Sequence, residues 1–390
     1  MNLSSPCKLW ISSAPIVLAT LVFSARAEEA FEISAAAKVD LLNYQTGQLE
    51  DNSAVAHLEL GAGFDLDALF QLSGFEMYAE LLLDWGGRPN ETQLDTLFGV
   101  SNLEVAEPAA RASQLWLQYT TGNHQVLAGL YGLDSEFMAL ESAGMFTNPA
   151  YGPTGDLSLT DTPSVFPTSA FGVRWRYENP QSHAYFAAAV LDGVAGDPDD
   201  PTTTSVDFES QDGAFTIVEA GIGALEQDHW FKVAGGFWWY SEPRARLDDD
   251  QILADRFGLY GQVEGELWHT EDNLQSIDSF FRFSVNDGRS IAFDQVYSAG
   301  LVWHGTLQRL PDSALGLSYS RGMSSDAWRQ FGTISGDYVD SNEAVLEVAF
   351  KLGTWSHVTI QPFYQHVTHP GTLSDAPSID MFGMRLEWST

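Results

Sequence analysis

The chain has 390 residues, with 18 Lys and Arg against 53 Asp and Glu and a formal net charge of −35. That balance repels phosphate and argues against a nucleic-acid partner, while 44% hydrophobic and 13% aromatic residues argue against a disordered polyanion. The single cysteine, Cys7, excludes a disulfide framework.

The first segment predicts the compartment. Lys8 stands in MNLSSPCKLW, the apolar stretch ISSAPIVLATLVFS follows, and Ala25-Arg26-Ala27 supplies small residues at the cleavage-site spacing. This order predicts a signal peptide over residues 1–27, cut after Ala27, with residues 28–390 as one exported domain. An uncleaved anchor is the alternative, but the apolar run is shorter than the roughly 20 residues a spanning helix needs. Cys7 precedes the apolar core, so it is no lipidation site and leaves with the peptide. No later stretch is long and apolar enough for a membrane helix. Two classes remain: a large soluble β-protein or an outer-membrane β-barrel.

From there, period-two alternation predicts strands near 31–42, 54–64, 74–84, 113–120, 124–131, 169–177, 183–191 and 214–224. The second half adds 229–240, 256–268, 277–285, 294–304, 312–320, 343–351, 355–367 and 378–388. Most approach the roughly 9–11 residues of a tilted membrane-spanning strand. Only Ser135–Gly144 suits a short amphipathic helix. With the N-terminus on the periplasmic side, the odd connectors face outward, and 85–112, 132–168, 192–213, 241–255 and 321–342 are long. The even connectors are short: Thr121-Gly122-Asn123, Glu178–Ser182, Leu225–Asp228 and Gly353-Thr354. Long loops on one rim and tight turns on the other mark an outer-membrane barrel; a soluble sandwich has no reason to sort its loops this way.

The faces agree. Phe75, Met77, Ala79, Leu81 and Leu83 alternate with Glu76, Tyr78, Glu80, Leu82 and Asp84, and Leu315, Leu317 and Tyr319 alternate with Gly316, Ser318 and Ser320. In lipid every backbone group must pair internally, so the β solution is a closed barrel. The expectation is an all-β fold, a transmembrane antiparallel β-barrel of about 16 strands, with Trp175, Tyr177, Trp303 and Trp388 in interfacial girdles. No residues are left over for a plug domain.

Several stretches resemble the carbohydrate-selective outer-membrane porin family, of the Pseudomonas glucose-porin type. They are DTLFGVSNLEVAEPAARASQLWLQY (95–119), LAGLYGLDSEFMALESAGMFTNPAYGP (127–153), SFFRFSVND (279–287) and SAGLVWHGTLQRLPDSALGLSYSRG (298–322). EAVLEVAFKLGTWSHVTIQPFYQHVTHPG (343–371) and FGMRLEW (382–388) complete the set, in family order. The resemblance implies a sixteen-stranded barrel that admits sugars by diffusion. Two features depart from the family pattern: strand one begins without a preceding tryptophan-glycine-glycine element, and the chain ends EWST rather than on an aromatic residue.

Strand parity then sorts the charges. Lys38, Arg174, Arg176, Lys232, Arg256, Arg282, Lys351 and Arg385 all alternate onto the lumen side; facing lipid at mid-bilayer, each would cost about 2–4 kcal/mol. Guanidiniums offer fixed donors for sugar hydroxyls, and Asp40, Glu59, Glu76, Glu80, Glu219, Glu264, Glu266, Glu347 and Glu387 offer acceptors on the same face. The same charges would also serve by pairing across the wall. Tyr78, Trp116, Tyr185, Trp238, Tyr260 and Trp268 alternate inward, either as a stacking track for pyranose rings or as packing beneath a folded-in loop. The longest connector, 132–168, is the candidate constriction, with Asp134, Glu136, Glu141, Asp156 and Asp161 set opposite the wall arginines and Phe137 and Phe146 free to pack on the wall. Such opposition would create a transverse field across the pore.

The acidic stretches 192–213 and 244–255 read as solvated rim loops; divalent cations could bridge them to anionic lipid, although neither has EF-hand spacing. No GxSxG elbow, HExxH helix, P-loop or CxxC is present, so neither an enzyme nor a cofactor is expected. His366 and His369 form at most a weak metal pair. The expected function is passive diffusion of small sugars such as glucose. The alternatives are a channel for other small polar solutes (amino acids, cations) and a non-conducting adhesin barrel. The expected partners are sugars, outer-membrane lipid and lipopolysaccharide, and the barrel assembly machinery; the barrel is also compatible with a homotrimer.

Overall fold

The computed structural model describes residues 30–390 except 161–162, 207, 209–211, 225–229 and 250. The segment 1–27, where the sequence predicts a signal peptide, and Asp161 therefore lie outside the described residues.

Alternation carries the chain through sixteen long strands. They are β1 (Phe31–Thr46), β2 (Leu49–Asp65), β3 (Phe75–Gly86), β4 (Ala109–Thr121), β5 (His124–Tyr131), β6 (Ala170–Asn179), β7 (Ala184–Asp192) and β8 (Ala214–Ala224). The second half holds β9 (Phe231–Tyr240), β10 (Arg256–His269), β11 (Ser276–Asn286), β12 (Phe293–His304), β13 (Ala314–Ser324), β14 (Asn342–Lys351), β15 (Val358–Thr368) and β16 (Ile379–Ser389). Each pairs antiparallel with its neighbours in sequence. The barrel closes by β1 against β16, where Ala36 meets Ser389 and Thr46 meets Ile379. Closure leaves no open edge, which is what a bilayer demands of strands.

Outward side chains are the apolar ones: Leu60, Leu81, Leu115, Val173, Val190, Val233, Leu259, Phe281, Leu301 and Leu317 are all exposed. Exposed aromatics collect near the strand ends. Tyr119, Trp175, Phe231, Trp303 and Trp388 stand toward the rim of short turns, and Trp85, Phe171, Phe257 and Phe382 toward the rim of long loops. Two such girdles bracket the hydrocarbon band of an outer-membrane barrel.

Inward aromatic rings recur with a cross-strand glycine beneath them. A Cβ at Gly236, Gly258, Gly300 or Gly383 would fall closer than 3.0 Å to the ring of Tyr260, Trp238, Phe280 or Phe363 respectively. The missing side chain is what lets each ring lie across the neighbouring strand, so glycine interior to these strands serves close packing.

Four local departures from simple alternation matter. A bulge between Glu266 and Trp268 pairs Trp268 with Ile277 rather than with a lumen-facing residue. Trp268 therefore turns outward and is exposed, against the inward placement that unbroken alternation predicts. Ser135–Gly144 is not a helix but a chain of short turns, with 3-10 turns at Leu133–Ser135 and Glu141–Ala143. The connection from β1 to β2 is the tight turn Gly47-Gln48, so one outward connector is as short as the periplasmic ones. Finally, the outward loop after β13 holds a ten-residue helix, Asp326–Ser335, which the alternation analysis does not anticipate. Its start is capped by Ser325, whose hydroxyl accepts from Trp328 N, and its end by Gly336 at φ 91°. No helix among the described residues is long and apolar enough to cross a membrane; the chain crosses with strands.

Candidate pore and solute site

Two outward loops, 87–108 and 132–169, fold into the lumen, and the wall is built to receive them. Leu133, Phe137, Met138 and Leu157 of the longer loop pack with Leu127, Ala187, Ile217, Trp238 and Tyr260 of the wall. Leu140, Phe146 and Tyr151 join Leu94, Phe98 and Leu103 of the shorter loop against Phe280, Phe293, Val345 and Phe363. Burying each large apolar side chain contributes about 1.5–3 kcal/mol, so these two clusters give the interior a core of its own.

Loop backbone brings peptide groups into this interior, and lumen-facing side chains satisfy them. Glu219 accepts from Met138 N at 3.0 Å, and Glu264 from Ser142 N at 2.9 Å. Glu347 accepts from Thr147 N at 2.8 Å, Thr147 Oγ1 at 2.9 Å and Asn148 N at 3.0 Å. Glu343 accepts from Leu97 N and Phe98 N, both at 2.9 Å. Donors act in the opposite sense: Arg282 donates to Met138 O at 3.0 Å and Ala150 O at 3.3 Å, Lys232 to Ala139 O at 2.7 Å, and Gln361 to Met145 O at 2.7 Å. The wall thus reads the loop's main chain residue by residue.

The residues singled out in sequence separate into two groups. Arg282, Arg385, Arg174, Trp238 and Tyr260 are buried beneath the loops. Arg385 makes two bonds of 2.7 Å to Asp40, which also accepts from Ser101 of the shorter loop at 2.7 Å. Tyr260 donates to Glu219 at 2.7 Å. Of the loop acids, Asp156 is fully buried and accepts from Ser284 at 2.6 Å, and Asp134 accepts from Phe166 N at 3.0 Å. Trp116 donates to Gln114 at 3.0 Å, Lys38 pairs with Glu387 at 3.7 Å, and Lys351 sits half-buried at the periplasmic end of β14.

The second group surrounds open space. Glu136, Glu141, Arg176, Tyr185 and Lys232 all border one cavity of about 470 Å³, together with Ser135, Ala139, Glu178, Asn179 and His183. Arg176 is held on three sides: Glu136 at 2.8 Å, Glu178 through its Nε, and the Tyr185 ring 4.6 Å beneath the guanidinium. Glu136 also pairs with Arg174 at 2.8 Å. Glu136 of the loop and Arg174 and Arg176 of the wall are therefore in contact, not set across a gap, and their pairing cancels much of the transverse field expected from their opposition. The pinned guanidinium, the carboxylates and the amide of Asn179 form a fixed array of donors and acceptors around water-accessible space.

Sequence reasoning passed over Ser135, Glu178, His183 and the network around His57. His57 Nδ1 lies 2.7 Å from Asp84, whose other oxygen accepts from Arg111 at 2.9 Å. Alternation along β2 carries the signal for His57; Arg111 lies before the sequence-predicted start of β4, where a bulge near Ser113 hides it.

A closed sixteen-stranded barrel whose lumen holds inward-folded loops and open cavities is an outer-membrane porin. The chain belongs to the carbohydrate-selective porin, OprB family, whose model matches residues 50–389. Among solved structures, the high-pH structure of Pseudomonas putida OprB has 15% sequence identity and a TM-score of 0.84, over 93% of this chain and 95% of that one. The low-pH structure of the same protein has 13% identity and a TM-score of 0.58, over 93% and 94%. Salmonella typhi OmpF in complex with daunomycin has 11% identity and a TM-score of 0.56, over 92% and 97%. At these identities the likeness shows the fold. No curated protein is matched by the sequence. Family and fold make the protein a passive channel for sugars in the outer membrane.

Proposed function

We propose that the channel passes small neutral sugars such as glucose, and that the cavity around Arg176 is where they are held during passage. The observation that carries this reading is that three wall residues expected from sequence to line the pore (Arg176, Tyr185 and Lys232) and two acids of the expected constriction loop (Glu136 and Glu141) converge on that one cavity. Its volume falls within the roughly 300–1,000 Å³ of small-molecule sites. Donors and acceptors alternate around it, which suits hydroxyls that both give and accept hydrogen bonds. Neighbouring opposite charges leave little net field to demand a charged solute. Residues 1–27 direct export, and the barrel then meets outer-membrane lipid, lipopolysaccharide and the assembly machinery.

Liposome swelling tests this with glucose, maltose, arginine and succinate. Glucose entry should exceed that of size-matched charged solutes, and Arg176→Ala should reduce the difference. Equal rates for sugars and amino acids of similar size would remove the sugar claim in favour of a general polar-solute channel. No swelling with any solute would favour the adhesin reading.

A further inference from the structure

The outward face of the barrel differs from one side to the other. On β6, β7, β10 and β11 the outward side chains near the long-loop ends are Phe171, Val190, Phe257 and Val285. On β12, β13, β15 and β16, and across the closure on β1 and β2, Tyr297, Arg321, His366, Asp380, Asn43 and Asn52 stand in the corresponding positions. The predicted strand 312–320 stops one residue short of Arg321, but β13 runs on to Ser324 and carries the arginine onto the face of Leu315, Leu317 and Tyr319, all exposed.

Most members of this polar arc satisfy one another. His366 Nδ1 lies 2.9 Å from Asp380, and the Tyr364 hydroxyl donates to the same carboxylate. Asn43 donates to Asn52 at 3.0 Å, and Tyr297 to Gln295 at 2.8 Å. Arg321 is the exception: it has no hydrogen bond and no ion pair within 4.0 Å among the described residues, and its Nε is buried without a partner. The field of Asp340 reaches it from the loop above, but that carboxylate is bonded by Ser341 N and paired with His369 Nε2 at 3.3 Å. The lumen arginines Arg174, Arg176, Arg282 and Arg385, by contrast, are all held by wall or loop groups.

We propose that this arc is a docking surface for the phosphorylated sugar headgroup of an outer-leaflet glycolipid, with Arg321 as its phosphate-binding residue. A guanidinium facing the bilayer without a counter-charge is unfavourable, and a phosphate supplies both the charge and oxygens that match its fork of donors. The His366–Asp380 pair, two to three strands on and roughly 10–15 Å away, meets the hydroxyls of the same headgroup. Below Arg321 on the same face, exposed Leu317, Leu315 and Leu301 receive the acyl chains. A second copy of this chain would have to bring a free carboxylate to Arg321. On the arc, Asp380 is already bonded, and Glu50 stands at the rim, one residue inside the start of β2. The surface is independent of which solute the lumen takes.

Native mass spectrometry of the detergent-solubilised barrel tests this, with bisphosphorylated lipid A and its dephosphorylated form as probes, on the wild-type protein, Arg321→Gln and Arg321→Lys. The wild type should retain the phosphorylated lipid about ten-fold better than the dephosphorylated one, the range expected of charge-assisted hydrogen bonds. Arg321→Gln should lose that preference, and Arg321→Lys, which keeps the charge without the fork, should keep about a third of it. The comparison of the two lipids on the wild type needs no variant, so it stands even where Arg321→Gln folds poorly. Equal retention of both lipids by the wild type would overturn the proposal, as would a preference undiminished in the variants. Barrels that associate in the wild type and separate in Arg321→Gln, with no lipid A retained, would overturn it in favour of a contact between copies.

Discussion

At the scale of single residues, the interior depends on groups that hold loop backbone rather than solute. Glu347 accepts three hydrogen bonds from Thr147 and Asn148 and is fully buried. Glu347→Gln keeps its shape but turns one acceptor oxygen into a donor facing a donor. It should destabilise the folded barrel by roughly 1–3 kcal/mol, read as a lower midpoint for heat-induced mobility change in detergent gels, with noisier open-channel current. The glycine–ring contacts give a paired test. Gly236→Ala drives a methyl group into the Tyr260 ring, whereas at Gly261 no atom lies within 4 Å of an added Cβ. The first should cost about 1–3 kcal/mol and the second little, measured by the same midpoint; equal effects would deny that ring packing sets the need for glycine. Residue scale is also where sequence was least informative. Parity correctly puts Arg282 and Arg176 on the same side of the wall. Only the path of a loop more than one hundred residues distant along the chain makes Arg282 a buried strut, while Arg176 borders open space.

At the scale of elements, most of the structure was legible in advance. All sixteen predicted segments coincide with strands, because one lipid face and one wet face impose period two over most of about ten residues. The failures are local and have causes. The bulge at β10 inserts one residue and turns Trp268 to the lipid side. The helix Asp326–Ser335 hides in a loop where attention to period two passes over its Ser325 cap and Gly336 stop. The loops also carry a pH dependence. Burial, first among its causes, raises the Glu104 carboxyl above the ordinary glutamate value, although its Oε1 accepts from Asn90 N at 3.0 Å and Glu91 N at 3.2 Å. Because the folded value is the higher one, this group's contribution to holding loop 87–108 is full below the unfolded value and fades as pH rises through the folded value. Glu104→Gln should flatten that profile and leave the loop at least as protected at neutral pH. Limited proteolysis from the outer side across this pH range measures it, and an unchanged profile would contradict the assignment.

At the scale of the whole molecule, a strongly acidic chain becomes a membrane protein by segregation. Apolar side chains occupy the outer face, and the charges are confined to the lumen and rims. The barrel wall supplies closure, while the two inward loops supply a second interior with its own apolar core and hydrogen-bonded lattice. On the proposed reading, solutes pass along the strip of wall that borders the Arg176 cavity and a second one beside His57, both of which Ser135 lines. Shortening the loop between Ser135 and Ala143 should therefore enlarge conductance and abolish discrimination among solutes without preventing barrel assembly, as read by single-channel recording on a heat-modifiable product.

The central claim is that sugars occupy a defined site within this passage. Single-channel conductance with glucose titration tests it most directly. The wild-type current should fall with added glucose and saturate, and the half-blocking concentration should rise in Arg176→Ala. A current that declines only in proportion to solution viscosity, identically in both proteins, would contradict it.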